Sequence, residues 1–103
     1  MGTYKLKKQA EEDLVTIYQW GFVQYGLQKA DYYLQKMFDA FEKIAKHPLS
    51  YPSVDYIRQG YRRRICGSHS IYYRMIDDTA EIMTILGRQD ADKLLQELDE
   101  STN

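Results

Sequence analysis

Five arginines, one histidine, the only cysteine and three tyrosines fall between Arg58 and Arg74, and no carboxylate interrupts residues 56–76. A guanidinium keeps its charge at any physiological pH, and its planar fork grips phosphate or carboxylate through paired hydrogen bonds. Arginine and tyrosine are also the side chains that most often dominate a protein interface. Nucleophilic catalysis by Cys66 with His69 would need the thiol within about 3 Å of the ring and a third group to orient it. No third group is evident, so the pair reads as a structural thiol beside a hydrogen-bonded histidine. A metal centre needs three or four converging ligands. His47 and His69, the two histidines, belong to a helix end and a hairpin. Gly60 and Gly67 flank strand candidates as turn residues rather than forming a phosphate loop. No cofactor and no metal is expected.

The elements that position this stretch follow from hydrophobic period. "YKLK" (4–7) alternates at period two and predicts a short strand. Ala10, Leu14, Ile17, Tyr18, Phe22 and Tyr25 then recur every three or four residues, predicting a helix with one apolar face. Glu11, Glu12 and Asp13 sit where the helix dipole favours negative charge, and Gly26 suits the C-terminal cap. A second helix carries Ala30, Tyr33, Leu34, Met37, Phe38, Phe41, Ile44 and Ala45 and stops at His47-Pro48. So short a connection makes the two an antiparallel hairpin. Residues 48–60 hold both prolines and read as a surface loop.

Three strand candidates follow, 61–65, 70–76 and 81–86, joined by the tight turns "CGSH" and "DDTA". In the middle one Ile71, Tyr73 and Met75 share a face, and Ser70, Tyr72 and Arg74 share the other. One face is expected on a core and one toward water or a partner. Residues 90–98 predict a short helix, capped by Asp90, with Leu94, Leu95 and Leu98 inward. The result is an α+β domain with its helices on one side of a sheet. Residues 1–100 form one domain, with 101–103 as a frayed tail.

Bulk composition agrees with a small globular protein: 103 residues, 44% hydrophobic, 28% charged, net charge −1. A balance so near neutral does not by itself call for nucleic acid and makes the arginine stretch a statement about a local site. Ten tyrosines suit interfaces, since each pairs a packing ring with a hydroxyl. One cysteine builds no disulfide framework, and no apolar run approaches ~20 residues, so a soluble cytoplasmic protein is expected.

Taken in order, "KQAEEDLVTIYQWGFVQYG", "DAFEKIAKHP", "IRQGYRRRICGSHSIYYR" and "ILGRQD" resemble the RelE/ParE superfamily of bacterial toxins, the ParE branch in particular. One departure is visible: Gly87 follows Leu86 where many ParE-like sequences carry a histidine. The resemblance implies the toxin of a type II toxin–antitoxin pair, encoded beside a cognate ParD-like or other antitoxin that wraps and silences it. ParE-like members trap DNA gyrase on cleaved DNA, so nucleic acid would be met only through gyrase or the antitoxin. The RelE branch consists of ribosome-dependent mRNA endonucleases. Those carry basic residues matched here by Arg62 and Arg64, but also three functional residues that fall at Ser70, Gln89 and Leu95, where the chemistry is lost. The expected protein is therefore a non-enzymatic gyrase inhibitor, the alternative a RelE-like ribonuclease.

Candidate target contacts are Arg62, Arg64, Tyr72, Arg74 and Arg88, with Arg63 alternating toward the helices. Candidate antitoxin contacts are Tyr32, Tyr33, Tyr51 and Tyr56. The helix hairpin would receive an amphipathic helix, and an open sheet edge an added strand.

Overall fold

The computed structural model describes residues 2–87. The alternating N-terminus forms β1 (Thr3–Leu6), followed by two long helices, α1 (Lys8–Tyr25) and α2 (Leu27–Lys46). Gly26 alone separates them, at φ +92° and ψ 171°. Only glycine adopts that backbone without a Cβ clash, so one residue both ends α1 and starts α2. A 3-10 turn (Pro48–Ser50) and a long loop lead to β2 (Arg62–Cys66), β3 (His69–Ile76) and β4 (Thr79–Gly87). The hairpin turns are two residues each: Gly67-Ser68, with Gly67 at φ +60°, and Asp77-Asp78, with Asp77 at φ +54°. Glycine and aspartate tolerate the left-handed region that such turns demand.

The sheet order is β1-β4-β3-β2. β2, β3 and β4 form the expected antiparallel meander, and β1 joins it parallel to β4. Both helices cover one face. Ile71, Tyr73, Ala80, Ile82 and Ile85 from the sheet bury against Ala10, Leu14, Met37, Phe41 and Ile44 from the helices. The register slips between Tyr72↔Thr84 and Tyr73↔Ile82, leaving Met83 as the extra residue of a β-bulge. Asp13 of α1 holds that irregularity: its carboxylate accepts from the Thr84 hydroxyl at 2.6 Å and from the Ile85 N–H at 3.0 Å. Its position therefore serves a tertiary bond to the sheet as well as the helix dipole.

Two expectations are corrected. Residues 48–60 do not simply cross the surface, and the far face of the sheet is not left open. Val54, Ile57 and Tyr61 fold onto that face and bury Tyr72 completely, with Met83 and Leu86 alongside. Strand alternation sends Tyr72 and Tyr73 to opposite faces, so their joint burial requires cover on both sides. The apolar stripe of α1 is likewise only half used. Ala10 and Leu14 are buried, but Phe22 and Tyr25 are 49% and 60% exposed among the described residues. The predicted helix 90–98, with Asp90, Leu94, Leu95 and Leu98, lies outside the described residues, as do Arg88 and Gln89. Among the described residues no helix is long and apolar enough to cross a membrane.

Candidate functional site

β2 is an edge strand, and its pairing decides where its arginines go. Arg62 pairs with Tyr73 and Arg64 with Ile71, so both lie on the helix-covered face; Arg63 pairs with Tyr72 and lies on the other. This reverses the expected arrangement, in which Arg63 met the helices. The side chains are long enough to leave the core at its rim. There Arg62 donates to the Tyr51 carbonyl at 2.7 Å and Arg64 to the Tyr51 hydroxyl at 2.6 Å. The Arg64 guanidinium lies 4.8 Å from the Tyr51 ring centre, and its Nε is buried without a partner. Tyr73 donates to the Pro48 carbonyl, and burial pushes its phenol up to about 12. Among the described residues, both ion pairs within 4 Å end on Glu81. Arg62 and Arg64 are therefore two neighbouring cations with no carboxylate within 4 Å among the described residues.

Arg74 differs. It alternates onto the Tyr72 face, where its Nε–H donates to Glu81 at 2.9 Å, with Lys7 at 3.9 Å from the same carboxylate. Its charge is met within the fold, and it does not join Arg62 and Arg64. Tyr72, expected as a contact, is fully buried under the 52–61 loop and is not available to a partner.

A second feature lies between the helices. Leu14, Ile17, Trp20, Gly21, Tyr25, Tyr32 and Met37 line an apolar groove of about 640 Å³, with Tyr33, Ser68 and His69 at its polar end. The Tyr33 hydroxyl meets the Cys66 carbonyl at 3.0 Å, the Ser68 N–H at 3.2 Å and His69 Nδ1 at 2.7 Å. A phenol has one proton, so all three bonds form together when Tyr33 donates to Cys66 and His69 carries its proton on Nδ1. The Cys66 thiol donates to the Lys36 carbonyl at 3.8 Å, and burial pushes its pKa up. A thiol so held is a poor nucleophile.

Two groups make stability depend on pH. Burial holds the His69 imidazole below its ordinary 6.5. The unfolded chain then binds that proton first, so stability falls as pH drops below about 6.5. The Arg74 hydrogen bond, aided by Lys7, holds Glu81 below its ordinary 4.5. Its contribution is present above that value and is lost as pH falls through the lowered pKa. Urea midpoints measured from about pH 8 to pH 3 are expected to decline in these two stages, with His69→Asn removing the first. A flat midpoint down to about pH 5 in the parent chain contradicts this assignment.

The antitoxin tyrosines are not brought together. Tyr32, 64% exposed, and half-buried Tyr33 line the groove. Tyr51 belongs to the arginine cluster, and Tyr56 lies in the loop over the opposite face. Sequence reasoning missed Trp20, Val15 and Val23, which are 56%, 56% and 76% exposed. The available signal was that α1 carries apolar residues around more of its circumference than one buried face needs. Arg88 lies outside the described residues. Among those described, no three metal-ligating side chains converge.

Residues 4–100 match the family described as the ParE toxin of the type II toxin–antitoxin system parDE. A relative called Toxin ParE1 from Mycobacterium tuberculosis is 31% identical over 94 residues, covering 89% of this chain and 96% of the relative. Toxin ParE1 of Caulobacter vibrioides is 33% identical over 86 residues, covering 84% and 88%. Among solved structures, the chromosomal ParDE system of P. aeruginosa aligns with TM-score 0.71 at 23% identity, covering 84% of this chain and 96% of that one. The M. tuberculosis toxin–antitoxin complex RelBE2 aligns with TM-score 0.61 at 18% identity, covering 84% and 98%. These structural likenesses establish the α+β RelE/ParE-like fold.

Proposed function

This chain belongs to the ParE toxin family of type II toxin–antitoxin systems, and from that membership we propose that it arrests growth by holding DNA gyrase on cleaved DNA. The Arg62–Arg64 edge of β2 is the target contact, and a cognate antitoxin silences the chain by filling the groove between α1 and α2. The observation that carries the target assignment is the pair of guanidiniums with no carboxylate within 4 Å among the described residues. Unpaired charge at a partly buried rim is costly to keep and gains most when a partner supplies the counter-charge.

Stabilising one state of gyrase requires only that the toxin bind that state more tightly than the resting one. No bond in the chain's own site need form or break. The groups beside Arg62 and Arg64 support this non-enzymatic reading over a ribonuclease. The Tyr73 phenol, pushed up to about 12 by burial, stays protonated at neutral pH and so does not serve as a general base. An antitoxin partner is supported by the neighbours, which come from a ParDE system and a RelBE2 complex. The compartment is the cytoplasm, where gyrase acts.

Induced expression tests this reading. The parent chain is expected to stop colony formation, co-expression of the neighbouring gene product to restore it, and Arg62→Gln with Arg64→Gln to relieve it without unfolding the chain. Full toxicity in that folded double variant would move the target contact elsewhere.

A further inference from the structure

Lys29, Lys36 and Lys43 recur along α2 at intervals of seven residues. Seven residues is nearly two helical turns, so the three form one slowly drifting stripe. The stripe meets β2 at its middle, where the Cys66 thiol reaches the Lys36 carbonyl. Arg64 and Arg62 follow Cys66 at two-residue steps on the same strand face. Five cations thus border one flank of the molecule, and none has a carboxylate within 4 Å among the described residues.

Three of them carry a tyrosine ring. Lys29 lies 5.8 Å from the centre of Tyr25, Lys36 5.1 Å from Tyr32, and Arg64 4.8 Å from Tyr51. Tyr25 and Tyr32 are 60% and 64% exposed. Asp39 of α2 lies more than 4 Å from each of these cations and accepts a hydrogen bond from the Gln35 amide at 3.1 Å.

Cations that follow a backbone, interleaved with the exposed rings of Tyr25 and Tyr32, meet the two needs of an unpaired nucleic-acid strand. The cations take the phosphodiesters, and the rings stack on bases of any sequence. We infer that this α2–β2 flank binds single-stranded nucleic acid directly. A duplex hides its base faces, and an acidic peptide would use the charges while leaving the tyrosines idle. The inference goes beyond the gyrase reading and does not depend on it.

The test is fluorescence anisotropy of the full chain with labelled oligo-dT and oligo-rU of about twelve nucleotides, across a salt series. Binding should weaken linearly on a log–log plot. Replacing Arg62, Arg64 and Lys36 with Gln should flatten the slope by about 2, at roughly 0.7 per single-strand phosphate contact. Tyr32→Ala should weaken binding about 5- to 150-fold and leave the slope unchanged. Tighter binding of oligo-rU assigns the strand as RNA and of oligo-dT as DNA, and either supports the inference. Failure to bind both, equal affinity for a hairpin duplex, stronger competition by a poly-glutamate peptide, or an unchanged slope in a triple variant that keeps its circular dichroism and melting temperature would each overturn it. Because gyrase is absent from the assay, a negative result leaves the gyrase reading standing.

Discussion

Trp20→Ala is expected to weaken antitoxin binding at least thirty-fold while leaving the urea midpoint of the free toxin nearly unchanged. Trp20 is 56% exposed, stands edge-on to Tyr25 at 5.7 Å, and forms part of the groove wall. A large aromatic lining an apolar groove is where binding energy concentrates, with truncations costing about 2 kcal/mol or more. That cost is about thirty-fold in dissociation constant. The fold gives up little, because the indole is not sealed in the core. Titration of the purified neighbouring gene product into parent and variant measures both quantities under one condition. A loss under about threefold would mean that the antitoxin seats elsewhere.

Phe41→Ala is expected to cost about 3–5 kcal/mol, the range for deleting a fully buried aromatic. Its ring is completely buried between Tyr4 at 5.5 Å and Phe38 at 5.8 Å, so little can collapse into the space it leaves. Domains of this size hold only about 5–15 kcal/mol in total, so the variant should be partly unfolded at 37 °C. Leu34 and Phe38 lie on the same periodic face but are only half-buried, and alanine there should cost less. Urea denaturation of the three variants checks the order. Equal losses would show that Phe41 is not the better-sealed position.

Much of this architecture was legible because local signals agreed. Helical period, the Gly26 break and the His47-Pro48 stop place the hairpin within a few residues. The tight-turn stretches "CGSH" and "DDTA" place the meander, and the structure narrows them to Gly67-Ser68 and Asp77-Asp78. What escaped depends on contacts distant in sequence. Nothing in "YKLK" says that β1 will lie parallel to β4, since that pairing is chosen by the crossover of both helices. The bulge at Met83 is invisible to a period-two count, yet it lets Thr84 and Ile85 meet Asp13.

The site is less legible in the sequence than the fold. Period two groups residues by face without saying which face the helices take. Alternation therefore pairs Arg62 with Arg64 but puts them on the side that Arg63 occupies in the structure. Tyr72 was assigned to the right alternation and the wrong environment, because Val54 and Ile57 look like loop residues until the loop folds back. Nothing in the sequence says that the Tyr51 carbonyl and hydroxyl hold the two arginines, a contact made across eleven and thirteen residues.

The most direct measurement is a gyrase supercoiling assay on relaxed plasmid with purified, antitoxin-free chain, scoring both supercoiling and protein-linked linear DNA. The account predicts that supercoiling stops, that cleaved DNA accumulates with toxin dose, and that Arg62→Gln with Arg64→Gln abolishes both effects. Normal supercoiling with no cleaved DNA at clear toxin excess would contradict it.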